Sequence, residues 1–218
     1  YENLDFPFYV ALGNHDYGGA GHLIDKPEPQ VEYTQYSEKW ILPDRTHDFQ
    51  KEHVQFLALD TNALMWSSVW GGYDTQAEWA RQTIASSGHL WRIAFGHHPY
   101  ISNGGHGVAG QYDGLIDVPI ASGLDVKRLV DEEICGKVDV YFSGHDHDLQ
   151  WLEPQCGTEF IVSGAGSKNR NLENRGVPTF FETDAQPGFV WVEIVDNSMK
   201  VEFYGMDERL LYEGTIYK

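Results

Sequence analysis

Three places in this chain put metal-capable side chains directly after a short apolar run and a glycine. Gly144-His145-Asp146-His147 follows Val138–Ser143, Gly13-Asn14-His15-Asp16 follows Phe8–Leu12, and Gly96-His97-His98-Pro99 follows Arg92–Phe95. Imidazole suits zinc, iron, manganese or nickel, and an asparagine carbonyl adds a neutral hard donor. A glycine at each turn lets the backbone bend tightly and leaves room beside an ion. In the His-x-His unit, an extended segment would put both rings on one side, whereas a turn would let them reach two neighbouring ions. Each motif taken alone could be only a turn, since Gly, Asn, Asp and Pro favour turns. Three such motifs on three apolar strands point to a metal site.

The elements that must hold these side chains read as follows. Phe6 to Leu12 is an almost continuous apolar run, expected as a strand buried on both faces. Glu32 to Trp40 carries Tyr33, Tyr36 and Trp40 at helical spacing and stops before Pro43. Asp48 to Gln50 starts a hairpin whose second strand is Val54 to Leu59, closed by the turn residues Asp60-Thr61-Asn62. A helix is expected from an Asp74 or Thr75 N-cap to about Ser87, with Gly88 just past its end and Ala77, Ala80, Ile84 and Trp79 facing a sheet. The strand Trp91 to Phe95 leads into Ser102-Asn103-Gly104-Gly105-His106-Gly107, a polar, pliable loop that suits the rim of a site. A second helix spans Ser122 to Ile134, with Leu124, Leu129 and Val130 inward, and Gly136 ends it before the strand that carries His145. Beyond it the pattern changes to strands alone: Phe160–Ser163, Gly188–Val195, Lys200–Tyr204 and Leu211–Tyr217, with Asp196-Asn197-Ser198 as a hairpin turn.

The fold class expected is α/β (α+β): a two-sheet β-sandwich flanked by helices, with a first half of alternating strands and helices and an antiparallel last third. Residues 1–218 read as one domain, with no repeat or linker, and the length is enough to bury a sizeable core. A formal charge of −18 argues against nucleic acid as a partner, because affinity there rests on clustered Lys and Arg. No apolar run reaches the roughly 18 residues needed to span a bilayer, so no membrane is expected. The opening residues are expected to form a strand-like segment rather than a signal peptide. Cys135 and Cys156 lie near strand ends flanking the His145 loop, and are either a disulfide or two buried thiols. Neither belongs to a Cys-x-x-Cys pair, which argues against a cysteine zinc site.

The motifs Gly13-Asn14-His15-Asp16, Gly96-His97-His98-Pro99 and Gly144-His145-Asp146-His147, in that order, resemble the later signature motifs of the calcineurin-like metallophosphoesterases. Phe56–Thr61, Gly144–Leu152, Ser163-Gly164-Ala165-Gly166 and Gly188–Ile194 are similar to the small tartrate-resistant purple acid phosphatases. The resemblance runs from about Phe6 to the C-terminus. It implies hydrolysis of phosphate monoesters by a metal-bound hydroxide at a dinuclear centre, commonly iron with a second iron, zinc or manganese. It assigns Asn14, His97 and His145 to one ion and His147 to the other. Leaving-group protonation falls to a nearby histidine, His15 or His106. His98 is expected to point elsewhere, and Asp16 and Asp146 to orient histidines or hold turns. By resemblance, a secreted, periplasmic or lysosomal-type compartment and a phosphate-ester substrate are expected.

The family's motif set opens with Gly-Asp and Gly-Asp-x-x-Tyr, and neither occurs before Gly13 here. The expectation is therefore an N-terminally incomplete domain with its first strands missing, whose second ion would need a separate N-terminal segment. Two alternatives follow: a phosphodiesterase or nucleotide-cleaving relative, and a non-catalytic scaffold on the same fold.

Overall fold

The computed structural model describes residues 3–19, 21–86, 88, 91–113 and 122–218. Seven strands form the central sheet: β3 (His47–Lys51), β4 (Val54–Ala58), β5 (Trp91–Gly96), β6 (Val140–Ser143), β7 (Leu149–Gln155), β8 (Thr158–Ser163) and β9 (Thr179–Thr183), in the order β3-β4-β5-β6-β8-β7-β9. β4, β5, β6 and β8 run parallel to one another, while β3, β7 and β9 are antiparallel to their neighbours. A second sheet is the antiparallel meander β10 (Gly188–Val195), β11 (Ser198–Gly205) and β12 (Leu210–Tyr217).

Two apolar cores hold these layers together. Between the sheets, Val54, Trp91, Ile93, Val140, Trp151 and Ile161 meet Met199, Val201 and Phe203, the inward residues of β11. On the other face of the large sheet lie α2 (Thr61–Met65), which the short α3 (Ser67–Trp70) follows in the chain, α4 (Tyr73–Ala85) and α5 (Leu124–Leu129); Leu64, Ala77, Ile84, Val126 and Leu129 pack onto Leu57, Ala94, Tyr141 and Phe160. The expected two-sheet sandwich with helices is present. Among the described residues, though, the outer face of the small sheet carries no helix and exposes Phe189, Trp191, Val195 and Tyr217.

Several local expectations are corrected. Phe6–Leu12 is not a doubly buried strand of the main sheet: only β1 (Phe8–Tyr9) is extended, paired in parallel with β2 (Trp40–Ile41), and Phe6 is exposed. Its side chains instead join a small separate core of Leu12, Tyr17 and Leu42. The helix placed at Glu32–Trp40 lies one turn earlier, as α1 (Glu28–Glu32) and a 3-10 turn Tyr33–Gln35, because Pro29 presets the first turn. Trp40 belongs to β2. The N-cap of α4 is Gly72 at φ 93°, so Asp74 sits inside the first turn rather than before it. Asp60 does more than end β4: its carboxylate accepts from Ala63 N at 2.9 Å and starts α2. In α5, Leu124 is exposed and Val126 takes the inward place. The helix then widens into a π turn, Val130–Ile134, with Cys135 N bonded to Val130 O at 2.8 Å. β7 and β9 were not foreseen. Cys135 and Cys156 are disulfide-bonded, with Cα atoms 5.6 Å apart.

Candidate metal centre

The parallel strands β4, β5 and β6 end on one side of the sheet, and side chains following them face the same space. Gly96 pairs with Ser143, and just beyond this pair Gly144 N donates to His97 O at 3.0 Å. The strand register thereby brings His97 and His145 together. The third contributor comes from the turn after β1, where Asp16 Oδ2 accepts from Gly13 N at 2.8 Å and fixes the turn that presents Asn14. Gly13 must be a glycine, since a Cβ there would lie 2.8 Å from His97 Nδ1.

Three donor atoms converge. His97 Nε2 lies 2.8 Å from Asn14 Oδ1 and 2.9 Å from His145 Nδ1. Two ligands about 2.1 Å from one ion and at right angles would be about 3.0 Å apart, so this spacing fits a shared ion. His145 has a φ of 63°, a left-handed conformation that a histidine adopts at a cost and that aims its ring at His97. Gly164, at the end of β8, closes the back of this turn: a Cβ there would sit 1.7 Å from Asp146 O.

The electrostatics agree with a metal's needs. Burial is the main cause pushing His97 down to about 4, with His15, His147 and His106 adding to it. Burial likewise drives His145 and His98 far below the usual histidine range. These imidazoles are neutral at pH 7, the state in which they can bind an ion.

His147 stands apart. It turns to the segment 164–178, where its carbonyl accepts from Arg170 N at 2.8 Å. Burial lowers its pKa first, then the positive charges of Arg170 and Lys168. Its Nδ1 is buried and has no hydrogen-bond partner among the described residues. A buried ring nitrogen left without a partner costs free energy, and an ion would satisfy it. His106 lies against the cluster, its ring 4.1 Å from that of His145. Its Nδ1 contacts Asp113 O at 3.2 Å and its Nε2 contacts Arg170 Nη1 at 3.2 Å. A carbonyl can only accept and a guanidinium can only donate, so Nδ1 carries the proton and Nε2 accepts. His15 is exposed on the Asn14 turn, near enough to His97 to act on it electrostatically.

A model of the calcineurin-like phosphoesterases matches residues 1–149. The chain belongs to that family. It is 28% identical over 231 residues to purple acid phosphatase 4 of Arabidopsis thaliana, a match covering 97% of this chain and 62% of the relative. It is 26% identical over 240 residues to tartrate-resistant acid phosphatase type 5 of Sus scrofa, covering 95% of this chain and 63% of the relative. The chain thus spans less than two-thirds of the length of these two relatives. Among solved structures, GAP50, the anchor in the inner membrane complex of Plasmodium, superposes with a TM-score of 0.73 at 20% identity, covering 97% of this chain and 66% of that one. At that identity the likeness shows the fold.

The structure brings Asn14, His97, His145 and His106 together and leaves His147 and His15 at the edge. One placement differs from expectation. His98 does not point elsewhere: it is fully buried, its ring centroid is 4.5 Å from that of His145, and among the described residues it forms with His97 and His145 the group of three able to hold an ion. Thr61 Oγ1 turns it inward, accepting from His98 N at 3.0 Å and meeting Nδ1 at 2.9 Å. Nor is the loop from Ser102 to Gly107 pliable. Asp146, buried, accepts from Ser102 Oγ and from His106 N, Asn103 N donates to Gln150 at 2.8 Å, and Arg175 Nε donates to Gly104 O at 2.8 Å. Asp146 and Asp16 hold turns, as expected. Arg170 escaped the sequence reading. Its signal was Lys168-Asn169-Arg170, a positive stretch one residue after Gly164-Ala165-Gly166 in an acidic chain.

Proposed function

We propose that this chain hydrolyses phosphate monoesters at a dinuclear metal centre, in the manner of an acid phosphatase. The observation that carries this reading is the convergence of Asn14 Oδ1, His97 Nε2 and His145 Nδ1 at the strand ends. These three would hold the first ion, and His147 would reach the second. The donor set suits iron, zinc or manganese, and the pairing proposed is iron with one of these or with a second iron. The ions would supply Lewis acidity to the phosphoryl group and to a water.

The remaining work falls to the chain's own residues. His106 sits beside the cluster with its ring held by Asp113 O, which favours it over the exposed His15 for proton exchange with the leaving oxygen. Asp146 fixes the loop that carries it. Further ligands for the ion at His147 are proposed to come from a segment outside these 218 residues, which would complete residues 1–218 as one domain. The disulfide supports an oxidising compartment, in keeping with a secreted, periplasmic or lysosomal-type location. Among the described residues no helix is long and apolar enough to cross a membrane.

The test is an assay of the metal-supplied protein, with the segment that completes the second ion's site restored, against a phosphate monoester and a diester, beside His145→Ala. Monoester hydrolysis lost in the variant is expected; preference for the diester would sink the monoester reading. The second reading is a non-catalytic scaffold, favoured by the solitary position of His147. Fewer than one ion per chain after metal loading, with no hydrolysis, would decide for it.

A further inference from the structure

Five of the seven arginines of this chain pair with carboxylates. Arg45, Arg81, Arg128, Arg175 and Arg209 each have a carboxylate oxygen 3.9 Å away or nearer. That is what a chain with 33 acidic and 15 basic residues should do. Arg170 is different. Among the described residues it has no carboxylate partner, and its guanidinium donates to the neutral Nε2 of His106 at 3.2 Å. A guanidinium can grip a carboxylate or phosphate through two parallel hydrogen bonds, so this single contact leaves much of its capacity unused.

The backbone under Arg170 is tied down at several points. Arg170 N donates to His147 O at 2.8 Å, Leu172 N to Asp184 Oδ2 at 2.8 Å, and Asn169 Nδ2 to Asp184 O at 2.5 Å. The exposed side chain therefore springs from a fixed base, between the two histidines that border the cluster. Lys168 lies close enough to act electrostatically on His147 as well.

We propose that Arg170, assisted by Lys168, is the anion-recognition residue of this site, exchanging its hydrogen bond to His106 Nε2 for a bidentate grip on the phosphoryl oxygens of the substrate. The substrate class, a phosphate ester with an exposed dianionic head, rests on the reading given above. No bond is made or broken in this exchange. Arg170 binds and positions, and its departure leaves Nε2 of His106 facing the bound phosphoryl group.

The probe is inorganic phosphate, titrated into the full chain by calorimetry with and without added zinc or manganese. Arg170→Gln, which keeps an amide donor, is expected to weaken phosphate binding about 10- to 100-fold, the worth of one hydrogen bond to a charged group. Arg170→Lys should recover part of it, since an ammonium keeps the charge and loses the planar fork. In turnover, the loss should appear in KM more than in kcat. Lys168→Ala should weaken binding by a smaller factor. Thermal melting separates binding from folding, and Arg170→Lys carries the test if Arg170→Gln does not fold. Phosphate binding unchanged in either Arg170 variant overturns the proposal, as does a parent chain that binds no phosphate with metal supplied. Phosphate bound through Arg170 with no ester hydrolysed, even when the segment that completes the second ion's site is supplied, leaves this inference standing and removes the phosphatase reading.

Discussion

On one side of the site, His97 Nε2 lies within 2.9 Å of donor atoms from two other segments; on the other, His147 presents a ring nitrogen with no partner among the described residues. The two sides are built from different material. Parallel pairing of β5 with β6 sets the spacing of His97 and His145, and the Asp16 carboxylate fixes the turn that carries Asn14. Sheet register is rigid, so ligands placed by it are preorganised. His147 lies on the turn between β6 and β7, against an irregular segment whose positive charges oppose a cation. A site with one strong and one weak half should load its ions unequally.

The largest expected effect breaks that inequality directly. Structural zinc sites are worth an apparent 10–16 kcal/mol, or about 3 kcal/mol per ligand when four share it, which is on the order of 100-fold in affinity. His145→Ala should therefore weaken the tighter zinc site by about that factor. His147→Ala should leave the tighter site within a few-fold of its parent value. Competition titration against a chromophoric chelator measures both. Equal losses in the two variants would mean that the halves are not independent.

The meeting of Asn14, His97 and His145 was legible in the sequence because its logic is local: an apolar run, a glycine, a metal-capable side chain, three times over. The two-sheet sandwich was legible for the same reason, from the change to strands alone after His147. What stayed hidden depends on distant partners. His98 is turned inward by Thr61, 37 residues earlier, and nothing in Gly-His-His-Pro announces that. Arg170 meets His106 across 64 residues. β7 begins within the Gly144–Leu152 motif, whose metal chemistry masked a strand, and β9 pairs with the sheet through β7. Phe6–Leu12 reads as a buried strand, yet among the described residues it pairs with β2 at Phe8 and Tyr9, and only those two residues become extended.

The disulfide offers a control on the comparison. It joins the residue after the π turn to the β7–β8 turn, at the opposite ends of the strands from the histidines. Closing a loop over a separation of 21 residues is worth about 3 kcal/mol on the chain-entropy account. Replacing both cysteines with serine should lower unfolding free energy by about that amount, read from urea denaturation. The ratio of the two metal affinities should stay as it was. A changed ratio would mean that the far end of the sheet helps set the spacing of the ligands.

The smallest effect is a difference in pH dependence between the two halves. His97 is lowered from 6.5 to about 4 in the folded chain, chiefly by burial. As pH falls through 6.5 the unfolded chain takes up a proton that folded His97 refuses, so stability is lost from there down to about 4 and then levels off. At pH 5.5 this amounts to about 1 kcal/mol from His97 alone. His147 is lowered as well, so its contribution has the same sign; its more open setting makes the effect smaller. The measurement is unfolding free energy at pH 7.5 and 5.5 in the presence of a chelator, for the parent chain, His97→Gln and His147→Gln. The parent should lose about 1 kcal/mol more than His97→Gln across that interval, and only slightly more than His147→Gln. If His147→Gln flattened the dependence as much as His97→Gln, the two rings would be equally withdrawn from water. The weakness of the second half would then lie in its missing partners and the nearby cations, and not in its exposure.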